Sequence, residues 1–349
     1  MEHAGDRPVL AIDLGGTQIR AALVTPDIEV HARRATPTAD EHGVQSVVKR
    51  ICELAATVRA EAKSAGLPPP VGIGISSPGP LDPWRGVVVA PPNLVGWRNV
   101  PLAAAVEEAL ALPTFLERDT NVAVLAEWRY GAARGTRNAI YITVSTGIGG
   151  GIVSDGRPII GPDGTAGEVG HMTVETDGPV CACGGAGHVE AIASGTALAK
   201  AARDLLAAGR APVLAKLAAG DEEIDAELLS RAADEGDEAC RAVLDRAWVA
   251  IGAGCASLVN VLNPEVIVIG GGIAEHRPGL FEVARREIVR RAFEVPAKRV
   301  RVVPAELGED VSLIGALPIV NDRIDDPTYR RTAQSAREAA ATGQGARPS

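Results

Sequence analysis

Apolar and polar positions alternate between strand-like and helix-like periods from Val9 to about residue 320. Val9 to Leu14 is apolar apart from Asp13, and Gln18 to Val24 alternates in part. With Gly15-Gly16 between them, these runs predict a strand–turn–strand hairpin over Val9 to Val24. Val47, Val48, Ile51, Leu54 and Val58 recur at helical spacing and predict a helix, which Leu67-Pro68-Pro69-Pro70 ends. Val71 to Ile75 predicts a short apolar strand, closed by Ser76-Ser77-Pro78-Gly79-Pro80. The loop from about residue 77 to 99 is rich in Pro, Gly, Asn and Trp, and its length suggests a binding role. Leu102 to Leu110 predicts a helix and Thr114 to Glu117 a strand. Asn138 to Asp155 then repeats the opening pattern about 130 residues later, with Ser145-Thr146-Gly147-Ile148-Gly149-Gly150 as its turn. That recurrence predicts an internal duplication, and the strands and helices between the two units predict an α/β architecture. Leu244, Trp248, Ile251, Cys255, Leu258 and Leu262 mark one long helix ended by Asn263-Pro264. Val266 to Ile269 predicts a buried strand running into Gly270-Gly271-Gly272. From Asp322 on, Ile324 and Tyr329 are the only large apolar residues, so residues 322–349 are expected to be a disordered or loosely docked tail.

Composition narrows the function classes. The 349 residues leave room for two domains. Aromatics make up only 3% of the chain, so its cores must be built from Ala, Val, Leu and Ile. Lys and Arg number 35 against 44 Asp and Glu, and the net charge of −9 argues against a nucleic acid or an anionic membrane as partner. No apolar run approaches the roughly 20 residues that span a bilayer, and the polar stretch Met1 to Pro8 does not read as a signal peptide. The five cysteines are odd in number and widely scattered, which fits a reducing cytoplasm better than a disulfide framework. Cys52, Cys240 and Cys255 fall in helical patterns and are expected to be buried small apolar residues.

Two groups of residues carry candidate chemistry. The first is the set of three glycine turns ending apolar strands: Asp13-Leu14-Gly15-Gly16-Thr17, Ser145 to Gly150, and Gly270-Gly271-Gly272. Glycine lets backbone N–H groups approach an anion with no Cβ in the way, and Asp13 could hold a hydrated Mg²⁺ beside phosphates. Any one of these turns alone reads as a tight hairpin. Together, with Asp at the first and Ser/Thr at the second, they read as phosphate binding. No Gly-Lys-Ser/Thr triplet of a P-loop occurs, and the residues after Gly151 read as strand and turn rather than the helix a dinucleotide fingerprint requires. The second group is Gly167-Glu168-Val169-Gly170-His171 with Cys181-Ala182-Cys183-Gly184-Gly185-Ala186-Gly187-His188-Val189-Glu190. Two thiols and two imidazoles suit a closed tetrahedral zinc site, leaving Glu168 and Glu190 for another task.

These motifs resemble those of the ROK family of sugar kinases (repressor, open reading frame, kinase). The resemblance runs from residue 8 to about 320. Asp13 to Thr17 and Ser145 to Gly151 resemble the family's two phosphate motifs, and Val266 to Gly272 its adenosine motif. Ser76 to Asp82 and Pro92-Asn93-Leu94-Val95-Gly96-Trp97 resemble its sugar-side loops. Membership implies a two-lobed actin-like ATPase fold, a duplicated ribonuclease H-like α/β fold with a cleft between lobes. Divided at the catalytic strand end, the expected lobes are residues 1–118 and 119–321, the second carrying the zinc-binding loop, with 322–349 as the tail. It also implies ATP with Mg²⁺, structural Zn²⁺, and transfer of the γ-phosphoryl group to a hexose.

The resemblance assigns roles. Asp13, Gly15, Gly16, Thr17, Ser145, Thr146, Gly147, Gly149, Gly150, Gly270, Gly271 and Gly272 would face the nucleotide. Asp119, which by position alone reads as a helix N-cap, would be the general base. Gly79, Asn93, Glu168, His171 and Glu190 would contact the sugar, and His171, Cys181, Cys183 and His188 would hold the zinc, His171 using one ring nitrogen for each. Two positions depart from the family pattern. His188 replaces the block's third Cys, and Arg118 replaces the Asn before the catalytic Asp, which in the family touches the sugar. Arg118 is therefore a candidate at the substrate whose direction is open: to the sugar, away from it, or to a phosphate. The implied enzyme is a cytoplasmic, homodimeric hexose kinase, glucose first among the substrates. The rivals are N-acetylmannosamine, N-acetylglucosamine, fructose, mannose or allose as acceptor, and a sugar-responsive regulator. The family's repressors carry a DNA-binding domain ahead of the first phosphate motif, which here begins at Asp13.

Overall fold

A computed structural model describes residues 7–219, 223–275, 277–326, 328 and 329. The chain forms two compact units. One comprises residues 1–135, 160–166 and 307–349, the other 136–159 and 167–306.

In the first unit β1 (Val9–Leu14), β2 (Gln18–Val24) and β3 (Val30–Pro37) form an antiparallel meander, and α1 (Val44–Ser64) leads into β4 (Ile73–Ser77). A small hairpin, β5 (Leu81–Asp82) and β6 (Val87–Val88), lies inside the predicted 77–99 loop. α2 (Leu102–Leu110), β7 (Thr114–Arg118) and α3 (Asp119–Tyr130) follow, and the sheet order is β3-β2-β1-β4-β7. β4 pairs parallel to both β1 and β7, as strands joined by helical crossovers do. Strand residues alternate between two covered faces. Leu10, Ile12, Leu14, Ile73 and Ile75 pack in one core with Val47, Ile51 and Val58 of α1.

The second unit repeats the plan. β8 (Ala139–Val144), β9 (Ile148–Ser154) and β10 (Arg157–Pro158) form the meander. After α4 (Val189–Ala193), α5 (Gly195–Ala207), α6 (Pro212–Ala218), α7 (Ala226–Asp234) and α8 (Glu238–Leu262), the chain enters β11 (Val266–Gly270). α9 (Gly272–Glu275), α10 (Pro278–Arg291), α11 (Glu294–Arg299) and β12 (Arg301–Pro304) complete it, in the order β10-β9-β8-β11-β12. The two sheets thus share strand order and direction, the duplication expected from the two glycine hairpins. α8 is long and apolar enough to cross a membrane by composition, but 67% of that stretch is buried inside the protein. Its Ile251, Cys255 and Val259 pack on Ile267 and Ile269 of β11, and Asn263, at φ 46°, caps its C-terminus. Burial pushes the thiols of Cys240 and Cys255 up to about 12, so both remain protonated fillers. Cys52 is half-buried.

The chain then returns to the first unit through α12 (Val311–Ile314) and α13 (Ala316–Arg323). α13 covers the sheet face opposite α1. A Cβ at Gly72 would lie 2.8 Å from Val320, and one at Gly74 2.7 Å from Ala316, so these glycines permit the close approach. This return places the compact units differently from the lobes expected at 1–118 and 119–321. α3 belongs with the first sheet because Glu127, fully buried, accepts hydrogen bonds from Ala132 N and Leu307 N. The expected tail is likewise corrected at its start. Arg323 and Ile324 are buried, and Tyr329 packs edge-on against Phe115 with ring centroids 6.5 Å apart. These contacts compensate the ordering of a segment poor in apolar residues. Residues 330–349 lie outside the described residues.

One aspartate joins two helices of the second unit. Asp237, 2% exposed, accepts from Ala239 N and Cys240 N at the start of α8 and from Val213 N and Leu214 N at the start of α6. Burial alone would push its carboxyl up, but the N–H groups of Cys240, Leu214 and Val213 together outweigh that and hold it below the ordinary value of 3.8. A depressed carboxylate stabilises the fold above its unfolded pKa and loses that contribution as the pH falls through the folded one. Asp237→Ala should therefore cost about 2 kcal/mol in urea unfolding at neutral pH, and the gap to the parent should close as the pH drops below 3.8.

Candidate active site and metal cluster

Asp13, Ser76 and Glu117 stand side by side in register on β1, β4 and β7, near the strands' carboxyl ends. Buried strand interiors admit few polar groups, so the unit's reactive side chains collect where the strands stop. At the end of β1, Gly15 N donates to Gln18 O at 2.9 Å and Thr38 Oγ1 donates to Gly15 O at 2.7 Å, which fixes the first glycine turn. A Cβ on Gly16 would meet Asn93 O at 3.1 Å, so this turn and the loop carrying Asn93 are packed together. Asp13 is 15% exposed at its side chain and its Oδ2 accepts from Arg20 Nη2 at 2.7 Å and Nε at 3.0 Å; Arg20 Nη1 is anchored on Glu309 O at 2.9 Å. Sequence reading missed Arg20, although its place directly opposite Asp13 across the hairpin follows from the turn length.

Asp119 is the first residue of α3, and Arg118, not Asp119, occupies the N-cap position. Its Oδ1 accepts from Thr120 N at 2.7 Å, so the carboxylate turns onto the N-terminus of the helix. Arg118 is 3% exposed. Its guanidinium donates to the Ala166 carbonyl and lies 3.5 Å from Asn121 Oδ1. Its stem runs over Gly79, where a Cβ would come within 3.1 Å of Cδ. The Gly79–Pro80 peptide is cis. Arg118 thus braces two loops of the first unit.

In the second unit the turn between β8 and β9 is tied down on both sides. Gly195 N donates to Ser145 O at 2.8 Å and Thr196 Oγ1 to Thr146 O at 2.9 Å. Glu190 Oε2 accepts from Ile148 N at 2.9 Å, and a Cβ on Gly147 would meet the same oxygen at 2.9 Å. A Cβ on Gly150 would strike Val169, and Gly149 lies within β9. Gly270 ends β11, Gly271 takes φ +94° against the Val144 carbonyl, and Gly272 opens α9.

The two Cys/His pairs converge. One ligand atom from each of His171, Cys181, Cys183 and His188 falls within 4.8 Å of the others. Cys183 Sγ lies 3.3 Å from His188 Nδ1, and Cys181 Sγ 3.8 Å from His171 Nδ1. The edge of a tetrahedron around Zn²⁺ with N and S ligands is about 3.3–3.8 Å, so these residues fit that ion. Burial pushes the Cys181 thiol above its ordinary 9.0, the state a cation among the four donors would reverse. His171 Nε2, on the other side of the ring, lies 3.8 Å from Glu168 Oε2. Cys181 Sγ lies 3.8 Å from Glu190 Oε1, so the cluster and the Ser145–Gly150 turn share Glu190. Protein purified under reducing conditions should carry about one zinc per chain, and Cys183→Ser should remove most of it, as metal analysis after desalting will read.

A model of the ROK family matches residues 9–323. The chain is 36% identical over 316 residues to a glucokinase of Thermotoga maritima, covering 90% of this chain and 98% of that one. It is 33% identical over 309 residues to an N-acetylmannosamine kinase of Salmonella typhi, covering 88% and 96%. Among solved structures it is similar to a ROK family glucokinase from Streptomyces griseus in complex with glucose and AMPPNP (TM-score 0.73, 31% identity, 89% and 98% covered). It is also similar to a ROK family transcriptional regulator, a homolog of the E. coli MLC protein (TM-score 0.81, 26% identity, 95% and 81% covered).

Proposed function

The chain belongs to the ROK family and has an actin-like ATPase fold, and on that premise we propose that it is a cytoplasmic, ATP- and Mg²⁺-dependent hexose kinase that makes glucose 6-phosphate. One observation carries the chemistry: a carboxylate, Asp119, sits at the N1 position of α3 directly after a buried strand. Phosphoryl transfer asks little covalent help of a protein, so orientation and charge neutralisation dominate. Asp119 accepts the proton of the sugar hydroxyl and points its oxygen at the γ-phosphorus.

The remaining roles follow from chemistry and position. Gly79 and Asn93 in the first unit, and Glu168, His171 and Glu190 in the second, read the sugar hydroxyls. A carboxylate or amide built to bond a hydroxyl rejects the epimer that leaves it unpaired. Arg118 acts on the sugar indirectly, through the Gly79 and Ala166 segments it holds. Asp13 and Thr17, with the glycine turns of Gly15 and Gly16 and of Gly147, Gly149 and Gly150 and the Ser145 and Thr146 hydroxyls, cradle the phosphates; Gly15 shapes its turn, its own amide being bonded to Gln18 O. Asp13 would hold Mg²⁺, which would supply positive charge to neutralise the phosphate oxygens. Gly272 leaves the backbone bare for the adenosine, and Gly270 and Gly271, packed against Tyr141 and the Val144 carbonyl, shape the turn that leads to it. His171, Cys181, Cys183 and His188 would hold zinc, which would stiffen the segment that carries Glu168 and leads into α4 with Glu190. A homodimer is proposed by analogy with the family.

Support for glucose is the identity to the Thermotoga maritima glucokinase; the N-acetylmannosamine kinase and the regulator give the competing readings. ADP release should be followed with ATP, Mg²⁺ and a panel of glucose, mannose, fructose, N-acetylglucosamine and N-acetylmannosamine. Glucose is expected to lead by at least about tenfold in kcat/KM. A different leading sugar would rename the acceptor, and silence across the panel with zinc and ATP bound would favour a sensor. Asp119→Ala should lower kcat by about 10³-fold or more while sugar binding by calorimetry persists. Turnover near the parent's would remove Asp119 from the role of base.

A further inference from the structure

We propose that Arg323 and Tyr329 are positioning residues for Asp119, a clamp from the far end of the sequence that sets the turn from β7 into α3. The inference rests on Asp119 being the base. Glu117 is fully buried, two residues before Asp119. Its Oε1 accepts from Arg118 N at 2.8 Å and from Asn121 Nδ2 at 3.0 Å, so the carboxylate bridges the N-cap and first turn of α3. Its Oε2 is paired with Arg323, whose side chain is 5% exposed and whose Nη1 also donates to Leu116 O at 3.1 Å. Arg323 therefore grips the strand both through its backbone and through the carboxylate that holds the helix start. Tyr329 closes the stack: the Arg323 guanidinium lies 4.5 Å over its ring, and its edge meets Phe115 of the same strand.

The geometry makes this more than a stabilising pair. Phe115 and Glu117 point to the face of β7 that α13 covers, and α13 delivers Arg323 to it. A buried carboxylate with one cationic partner cannot shift without leaving a charge uncompensated, so the pair has one low-energy geometry. That geometry fixes the Arg118 amide and the Asn121 side chain, the two residues that flank Asp119 and Thr120, and Thr120 N in turn holds Asp119 Oδ1. Loosening Tyr329 should release the guanidinium edge and let the Asp119 carboxylate wander by a fraction of an ångström. A misplacement of that kind lowers the rate of the chemical step without changing ground-state binding.

The test uses the full chain with Tyr329→Ala, Tyr329→Phe, Arg323→Lys and Asp119→Asn. Arg323→Met is avoided because it strands a buried carboxylate and risks the fold. Tyr329→Ala should lower kcat about tenfold with KM for sugar and ATP within about twofold, and Tyr329→Phe, which keeps the ring, should restore the parent rate. Arg323→Lys, which keeps the charge but not the bridge to Leu116, should behave like Tyr329→Ala. Hydrogen exchange of the peptide spanning residues 114–125 should quicken in Tyr329→Ala and not in Tyr329→Phe, a readout that needs no turnover. Parental kcat in folded Tyr329→Ala and Arg323→Lys, or unchanged exchange at the start of α3, overturns the clamp while Asp119→Asn still abolishes turnover. Parental turnover in Asp119→Asn overturns the base, and the clamp with it.

Discussion

The central strands of both units are covered on two faces, and this constraint decides where chemistry can occur. Val9 to Ile12, Ile73 to Ser77 and Val266 to Gly270 are all buried, and so is Thr114 to Arg118 at the edge of the first sheet. A polar side chain within them costs desolvation unless partnered, so such groups gather at the ends. β1, β4 and β7 run in parallel, as do β8, β11 and β12. Parallel pairing puts their carboxyl ends along one edge of each sheet, the edge at which open α/β sheets take their ligands. Asp13 to Thr17, Gly79 and Asp119 share one such edge, and Ser145 to Gly147 and Gly270 to Gly272 the other.

Short strands ending in glycine turns need something to hold the turns still. The two units solve this differently. The first uses ion pairs and helix ends: Arg20 on Asp13, Glu117 on the start of α3, Arg118 on the Ala166 carbonyl. The second uses a Cys/His cluster, with Glu190 reaching from that cluster to the β8–β9 turn. A buried ion pair enforces geometry through the cost of separating charges, and a metal held by the four donors would do so through the directionality of its ligands.

What could be read along the chain was what is local. The two hairpins were legible because a glycine pair between apolar runs fixes a turn within a few residues. α8 was legible from its period, and its end from Asn263-Pro264. The convergence of the two Cys/His pairs was legible because all four residues lie between His171 and His188. The unit boundary was not. The crossing at Gly135, the visit of residues 160–166 to the first unit and the return at Leu307 are set by contacts between residues far apart in sequence, such as Glu127 with Leu307. Arg323 and Tyr329 looked like the start of a tail because composition counts apolar residues and gives no credit for one arginine meeting one buried glutamate. Asp119 looked like a cap because position and residue type match one. The structure moves it a single residue into the helix, where its carboxylate still meets the free amides.

Local legibility also explains why reaction class and substrate separate so cleanly. Phosphate cradles need bare backbone and a carboxylate at a strand end, and those appear as short motifs. Sugar choice depends on which hydroxyl meets which donor. The loops of the first unit are positioned from a distance, by the Arg118 brace among others. An Asn at that position would offer an amide of short reach. Arg118 carries its charge past Gly79 to a backbone carbonyl, so the same position changes from a candidate for reading the substrate to a brace between two loops.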